Sequence, residues 1–121
     1  MKPYSEYNIS LEEIHHTQKL DKPSGTAITL ANEIISNSTV KKNWSVSESD
    51  KTDEEKIFID SIRKENVVGI HSVKYESAID KIEIKHEAFS RKGFAQGAIL
   101  AAQWLIGKKG FFEMKDVLKI E

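Results

Sequence analysis

The chain has no cysteine, so a disulfide framework and a thiolate metal centre are both excluded. It has no apolar run approaching the roughly 18 residues of a membrane-spanning helix. It also lacks a strong charge of either sign: the formal net charge is −1. A general nucleic-acid binder needs a basic face, and this balance argues against one. The opening residues Met1 to Glu6 are polar and carry no apolar core of a secretion signal, so a cytoplasmic location is expected. No internal repeat is visible. At 121 residues the length suits one domain with a single modest core.

What is present is concentrated in one stretch, Glu13-Ile14-His15-His16-Thr17-Gln18-Lys19-Leu20-Asp21-Lys22-Pro23-Ser24-Gly25-Thr26-Ala27. Before it, Tyr7, Ile9 and Leu11 alternate with polar residues, which predicts a half-buried strand running into Ile14 and His15. Lys22-Pro23-Ser24-Gly25 breaks the chain, because the residue before proline is pushed out of the helical region. From Ala27, the apolar residues Leu30, Ala31, Ile34 and Ile35 fall at helical spacing, with Ser24 or Thr26 placed to cap the start. The segment from Val40 to Lys56 reads as a charged mobile surface loop, with room for a short strand near Trp44 to Val46. Three strand patterns follow, from Ile57, from Val67 to Glu76 and from Lys81 to Phe89, joined by short turns as an antiparallel meander. A helix is predicted from about Phe94 to Ile106, then a partly helical coda from Phe111 to Ile120. The expected fold is α+β, with an antiparallel or mixed open sheet of about four strands and helices on one face.

The focal stretch is suited to a small dianionic substrate that accepts a proton. The first N–H groups of a helix have no intrahelical partner and sit at the positive end of its dipole. The Gly25-Thr26 step lets an anion approach them, and the Thr26 hydroxyl adds a donor. Histidine titrates near neutrality, so His15 or His16 can deliver a proton, and Lys19 can hold a carboxylate or share in that donation. Set against this is an ordinary capped helix beside surface histidines. A metal centre needs three or more ligands. His71 and His86 stand at no recognised spacing and there is no His-Glu-x-x-His pattern, so no metal is expected. Both histidines read as partly buried, hydrogen-bonded strand residues. Arg91 could clamp an anion, and Trp44 and Trp104 read as packing residues.

The run Glu13-x-His15-His16-x-x-Lys19-x-Asp21-x-Pro23-Ser24-Gly25-Thr26-Ala27 resembles the signature of the dihydrodipicolinate reductase (4-hydroxy-tetrahydrodipicolinate reductase) family. Val67-Val68-Gly69-x-His71 and Ile84-x-His86-x-Ala88-x-Ser90-Arg91-x-x-Phe94-Ala95-x-Gly97-Ala98 are similar to it too. A small departure is Lys22, where the family often has alanine. The resemblance implies the C-terminal half of a two-domain oxidoreductase of diaminopimelate and lysine biosynthesis. It further implies a mixed sheet that assembles into a homotetramer and binds a small dicarboxylate. By that likeness His15 is the general acid and Lys19 a second proton donor. His16, Ser24, Gly25 and Thr26 bind substrate, and Arg91 lies near the cofactor.

The family's NADH or NADPH is held by an N-terminal domain that opens with Gly-x-Gly-x-x-Gly. No such turn occurs here, since Gly93 and Gly97 have the wrong spacing. The chain is therefore expected to be a fragment that is inactive alone and binds no nucleotide strongly. Residues 1–121 would form a strand-rich core over about 7–90. A helical tail over about 91–121 would return to the missing domain and leave apolar surface uncovered. The alternative is a non-catalytic assembly module with a vestigial anion site. A weaker one is a metal-dependent hydrolase.

Overall fold

The computed structural model describes residues 1–120, so Glu121, the last residue of the expected tail, lies outside the described residues. It divides into two compact units, the first ending at Phe89 and the second starting at Ser90. The first unit holds β1 (Asn8–His15), α1 (Gly25–Ser36), β2 (Asn43–Ser45), β3 (Lys56–Arg63), β4 (Gly69–Glu76) and β5 (Lys81–Ala88). The second holds α2 (Lys92–Leu105) and α3 (Met114–Leu118).

The five strands form one mixed sheet in the order β2-β3-β1-β4-β5. β1 is central, parallel to β3 on one side and antiparallel to β4 on the other. The expected three-strand meander is thus only half present. β4 and β5 do form an antiparallel hairpin, but β1 lies between β3 and β4. The physical reason is burial. The alternating residues Ile9, Leu11, Glu13 and His15 are all buried, so β1 needs a neighbour on each edge. An edge position would leave its backbone groups unpaired. The short strand allowed near Trp44 exists and becomes the fifth, parallel to β3. The rest of that charged segment carries a single 3-10 turn, Glu48–Asp50, tied down by Ser45 donating to Asp50 at 2.7 Å and by Lys56 pairing with Asp50 at 3.0 Å.

One face of the sheet is covered by α1. Ala27 and Ala31 are small enough to let the helix settle on Leu11, Ile57 and Ile59, and Leu30, Ile34, Ile35, Trp44 and Val73 close the edges of this core. Ser24 begins the helix beside Glu13, while Ile34 lines a concavity with Ile9 and Tyr75. The helix therefore runs back from the end of β1 toward its beginning. Along this covered face the residue type changes at one level on three strands. β1 passes from Leu11 to Glu13 and His15, β3 from Ile59 to Ser61 and Arg63, and β4, running the other way, from Val73 to His71 and Gly69. The apolar half carries the core. The polar half lies at the helix start.

In the second unit, α2 has no buried residue, and Ile99, Leu105 and Ile106 of its expected apolar face are all exposed. Gly107 and Gly110 adopt positive φ of 78° and 139° after it, conformations that a side chain would strain. α3 falls within the expected coda.

Candidate functional site

The centre of the polar half is Glu13, which is 0% exposed. Its Cα partners across the sheet are Ser61 on β3 and His71 on β4. Its Oε1 accepts the Ser24 backbone N–H at 2.9 Å and the Ser61 hydroxyl at 2.5 Å. Its Oε2 accepts the Ser24 hydroxyl. The Arg63 guanidinium lies 3.6 Å from Oε1, and the nearest nitrogens of His15 and His71 each lie 3.7 Å from Oε2. Burial pushes the Glu13 carboxyl up, but the hydroxyls of Ser24 and Ser61, the Ser24 N–H and the neighbouring His15 together outweigh it. The net direction is down, and Glu13 is a buried carboxylate anion at neutral pH.

Ser24 joins this carboxylate to the helix. It is 2% exposed and caps α1, its hydroxyl oxygen accepting the Ala27 N–H at 3.2 Å. That oxygen is also 3.3 Å from His71 Nε2. With its proton given to Glu13, the hydroxyl can only accept from His71, which assigns the proton of that imidazole to Nε2. The hydroxyl and the N–H of Ser24, named in the sequence reading among the substrate-binding residues, are both committed to Glu13 in this structure. Gly25 and Thr26 are exposed, and among the described residues the first two N–H groups of α1 find no acceptor, whereas those of Ala27 and Ile28 bond to Ser24.

His15 ends β1 and is 8% exposed. Its ring meets that of His71 edge to face, 4.9 Å between centroids. Gly69 of the Val-Val-Gly-x-His run borders this ring: a Cβ there would stand 3.4 Å from the His15 imidazole, in van der Waals contact. His15 Nδ1 is buried without a hydrogen-bond partner and faces Glu13. Burial pushes both imidazoles below their ordinary value. Glu13 opposes this at both, while Lys19 and the other imidazole nearby (His71 for His15, His86 for His71) reinforce it, with Arg63 adding to the effect at His15. At neutral pH both are uncharged and ready to take a proton.

Lys19 sits in the loop between β1 and α1, its Nζ 3.0 Å from Asp21. Arg63 shapes this loop: its Nε donates to the Lys19 carbonyl at 3.3 Å, and its Nη2 donates to the Asp21 carbonyl. His16, half-buried just past β1, opens the same loop, its carbonyl accepting the Lys19 N–H at 3.2 Å. His15, Lys19, Ser24 and the helix start thus meet at one end of the sheet. Arg91 is in the second unit, at the N-cap of α2.

Four residues of the cluster were given no site role by the sequence reading: Glu13, Ser61, Arg63 and His71. Glu13 shares parity with Leu11 and His15, so its inward direction was legible. That a carboxylate on a core face needs donors from other strands is the signal that could have led to the rest. His71 is half-buried and bonded as expected, yet it belongs to the site. His86, its neighbour on β5, is exposed rather than partly buried, because both faces of that edge strand are open.

Fold and site together define an α+β domain in which imidazoles stand beside the open start of a helix. Residues 1–118 match the family model described as dihydrodipicolinate reductase, C-terminus, and the chain belongs to that family. The 4-hydroxy-tetrahydrodipicolinate reductase of Christiangramia forsetii is 54% identical over 98% of the chain and 48% of its own length. That of Clostridium novyi is 42% identical over 96% of the chain and 47% of its own length. The chain spans about half the length of the curated relatives it matches. Among solved structures, a dipicolinate-bound dihydrodipicolinate reductase from Paenisporosarcina sp. TG-14 matches with a TM-score of 0.64 and 21% identity. It covers 90% of this chain and 44% of that one, and it supports the fold.

Proposed function

We propose that this chain is the substrate-binding and oligomerisation half of a cytoplasmic 4-hydroxy-tetrahydrodipicolinate reductase acting in diaminopimelate and lysine biosynthesis. The observation that carries the reading is the junction at Ser24. One residue caps the helix whose Gly25 and Thr26 amides are open, and ties it to the carboxylate facing His15 and His71.

In the full-length enzyme NADH or NADPH supplies the hydride. Gly93 and Gly97, whose spacing does not match a dinucleotide-binding turn, both lie within α2. The steps assigned to this chain concern binding and the proton. One substrate carboxylate lies on the Gly25 and Thr26 amides and the Thr26 hydroxyl, within the partial positive charge of the helix start. His16 and Lys19 hold the dicarboxylate, and Lys19 must exchange Asp21 for it. His15 gives the proton, with Lys19 as second donor. Arg91 serves the cofactor side from the second unit. A neutral imidazole becomes an effective acid when a dianion arrives, because the added negative charge raises its proton affinity.

Titration with pyridine-2,6-dicarboxylate, followed by NMR, tests this. Signals of His15, His16 and Thr26 are expected to move, and affinity to rise as pH falls from about 8 to about 6, since binding takes up a proton. NADH is expected to move nothing strongly. Unchanged spectra at saturating dicarboxylate would refute the substrate-site reading and leave a pure assembly module. Sedimentation of the chain reads the oligomerisation part, for which a homotetramer is expected.

A further inference from the structure

We propose that Glu13 is the positioning residue of this site: its buried carboxylate holds the Ser24 turn, and with it the Gly25 and Thr26 amides, in register with His15 and His71. This rests on the dicarboxylate reading above and adds to it the group on which the pocket's parts converge.

The argument begins with topology. Because β1 is central, a side chain on it can reach three other pieces of chain, and Glu13 does. It accepts from Ser61 on β3 and from the hydroxyl and N–H of Ser24 before α1, and it faces His71 on β4 and His15 on its own strand. A fully buried carboxylate is costly unless it is hydrogen-bonded, and here donors from two sides bond both of its oxygens. The carboxylate therefore dictates where its donors sit. If Ser24 moves, α1 loses its cap and the two open amides lose their aim.

The same carboxylate orients the imidazoles. Nδ1 of His15 faces Oε2 at 3.7 Å with no other partner. A proton on that nitrogen is drawn toward Glu13, which leaves Nε2 to exchange a proton with substrate. His71 reaches Oε2 through the Ser24 hydroxyl. Nitrogen and oxygen atoms of Glu13, His15 and His71 lie within 4.8 Å of one another, a grouping that could also be read as a metal centre. The Arg63 guanidinium 3.6 Å from the carboxylate, with hydroxyl donors on both its oxygens, opposes a dication there and suits a network already satisfied.

The test uses Glu13→Gln and Glu13→Asp in this chain, with the histidine titration curves and pyridine-2,6-dicarboxylate affinity both read by NMR. With Glu13→Gln, the midpoints of His15 and His71 are expected to fall, since the opposing charge is gone. Affinity is expected to drop about tenfold or more, the scale of one charge-assisted hydrogen bond misplaced. Glu13→Asp keeps the charge on a shorter arm, so its midpoints should lie nearer wild type while affinity still drops. It also serves if the glutamine variant fails to fold. Variants that melt earlier but keep wild-type midpoints and affinity would overturn the proposal and leave Glu13 a purely structural residue. Should the wild-type chain bind no dicarboxylate, the substrate reading fails, while the histidine midpoints still decide whether Glu13 governs the imidazoles.

Discussion

Ser24 shows how much one side chain can be asked to do. Its hydroxyl donates a hydrogen bond to Glu13 and accepts one from the Ala27 N–H. Ser24→Ala should cost about 0.5–2 kcal/mol for the lost cap. A further ~1–3 kcal/mol is expected because a buried carboxylate loses a donor. Urea unfolding of the variant measures the sum. The pH dependence of stability follows from the histidines. Their folded values lie below the ordinary one, so between the two the unfolded chain holds more protons. Stability is therefore full above about pH 6.5 and declines as pH falls through that range. Glu13 adds to the decline in more acid solution, since its depressed value stabilises the fold only while it is ionised. Denaturation midpoints are expected to fall between about pH 8 and about pH 5, and His71→Gln to flatten the slope.

At the scale of elements, the central strand and α1 act as one piece. The core under the helix is small: Leu11, Ile57 and Ile59 against Ala27 and Ala31, with a few partly covered neighbours. Losing one of those isoleucines should be felt throughout. Ile59→Ala is expected to cost about 2–5 kcal/mol by calorimetry or denaturant titration. It should also weaken dicarboxylate binding, since α1 carries the amides. Ile84→Ala, on the open edge strand, should cost far less, because that side chain is 66% exposed already. The gradient along the covered face explains why the site lies where it does. Apolar residues hold the far end of the helix down, and polar residues receive its start.

At the scale of the whole molecule, the first unit has a core, and among the described residues of the second none is buried. Among the described residues of the second unit, Phe94, Ile99, Leu105, Ile106 and Phe111 are all exposed, more apolar surface than a solitary soluble unit ordinarily shows. An apolar fluorescent dye is expected to bind the chain, and replacing Ile99 and Ile106 by lysine to reduce that signal. An unchanged signal would show that this surface is covered in solution.

The period-2 and period-3.6 patterns were local, and they were enough to locate β1, α1, the later strands and α2; residue chemistry drew attention to the histidines, Lys19 and the helix start, and the resemblance to the family signature picked out His15, Lys19 and the Ser24–Thr26 turn. Parity alone also pointed Glu13 inward. Which strand lies beside which is not a local property, and turn lengths suggested a meander that the burial of β1 ruled out. His71, 58 positions after Glu13 in the chain, and Ser61, 48 after it, could be joined to that carboxylate only by the pairing of β1 with β3 and β4. A chain's periodicity tells each residue which way to face. What it will meet there depends on non-local pairing, decided by the need to bury one central strand and satisfy the charge it carries.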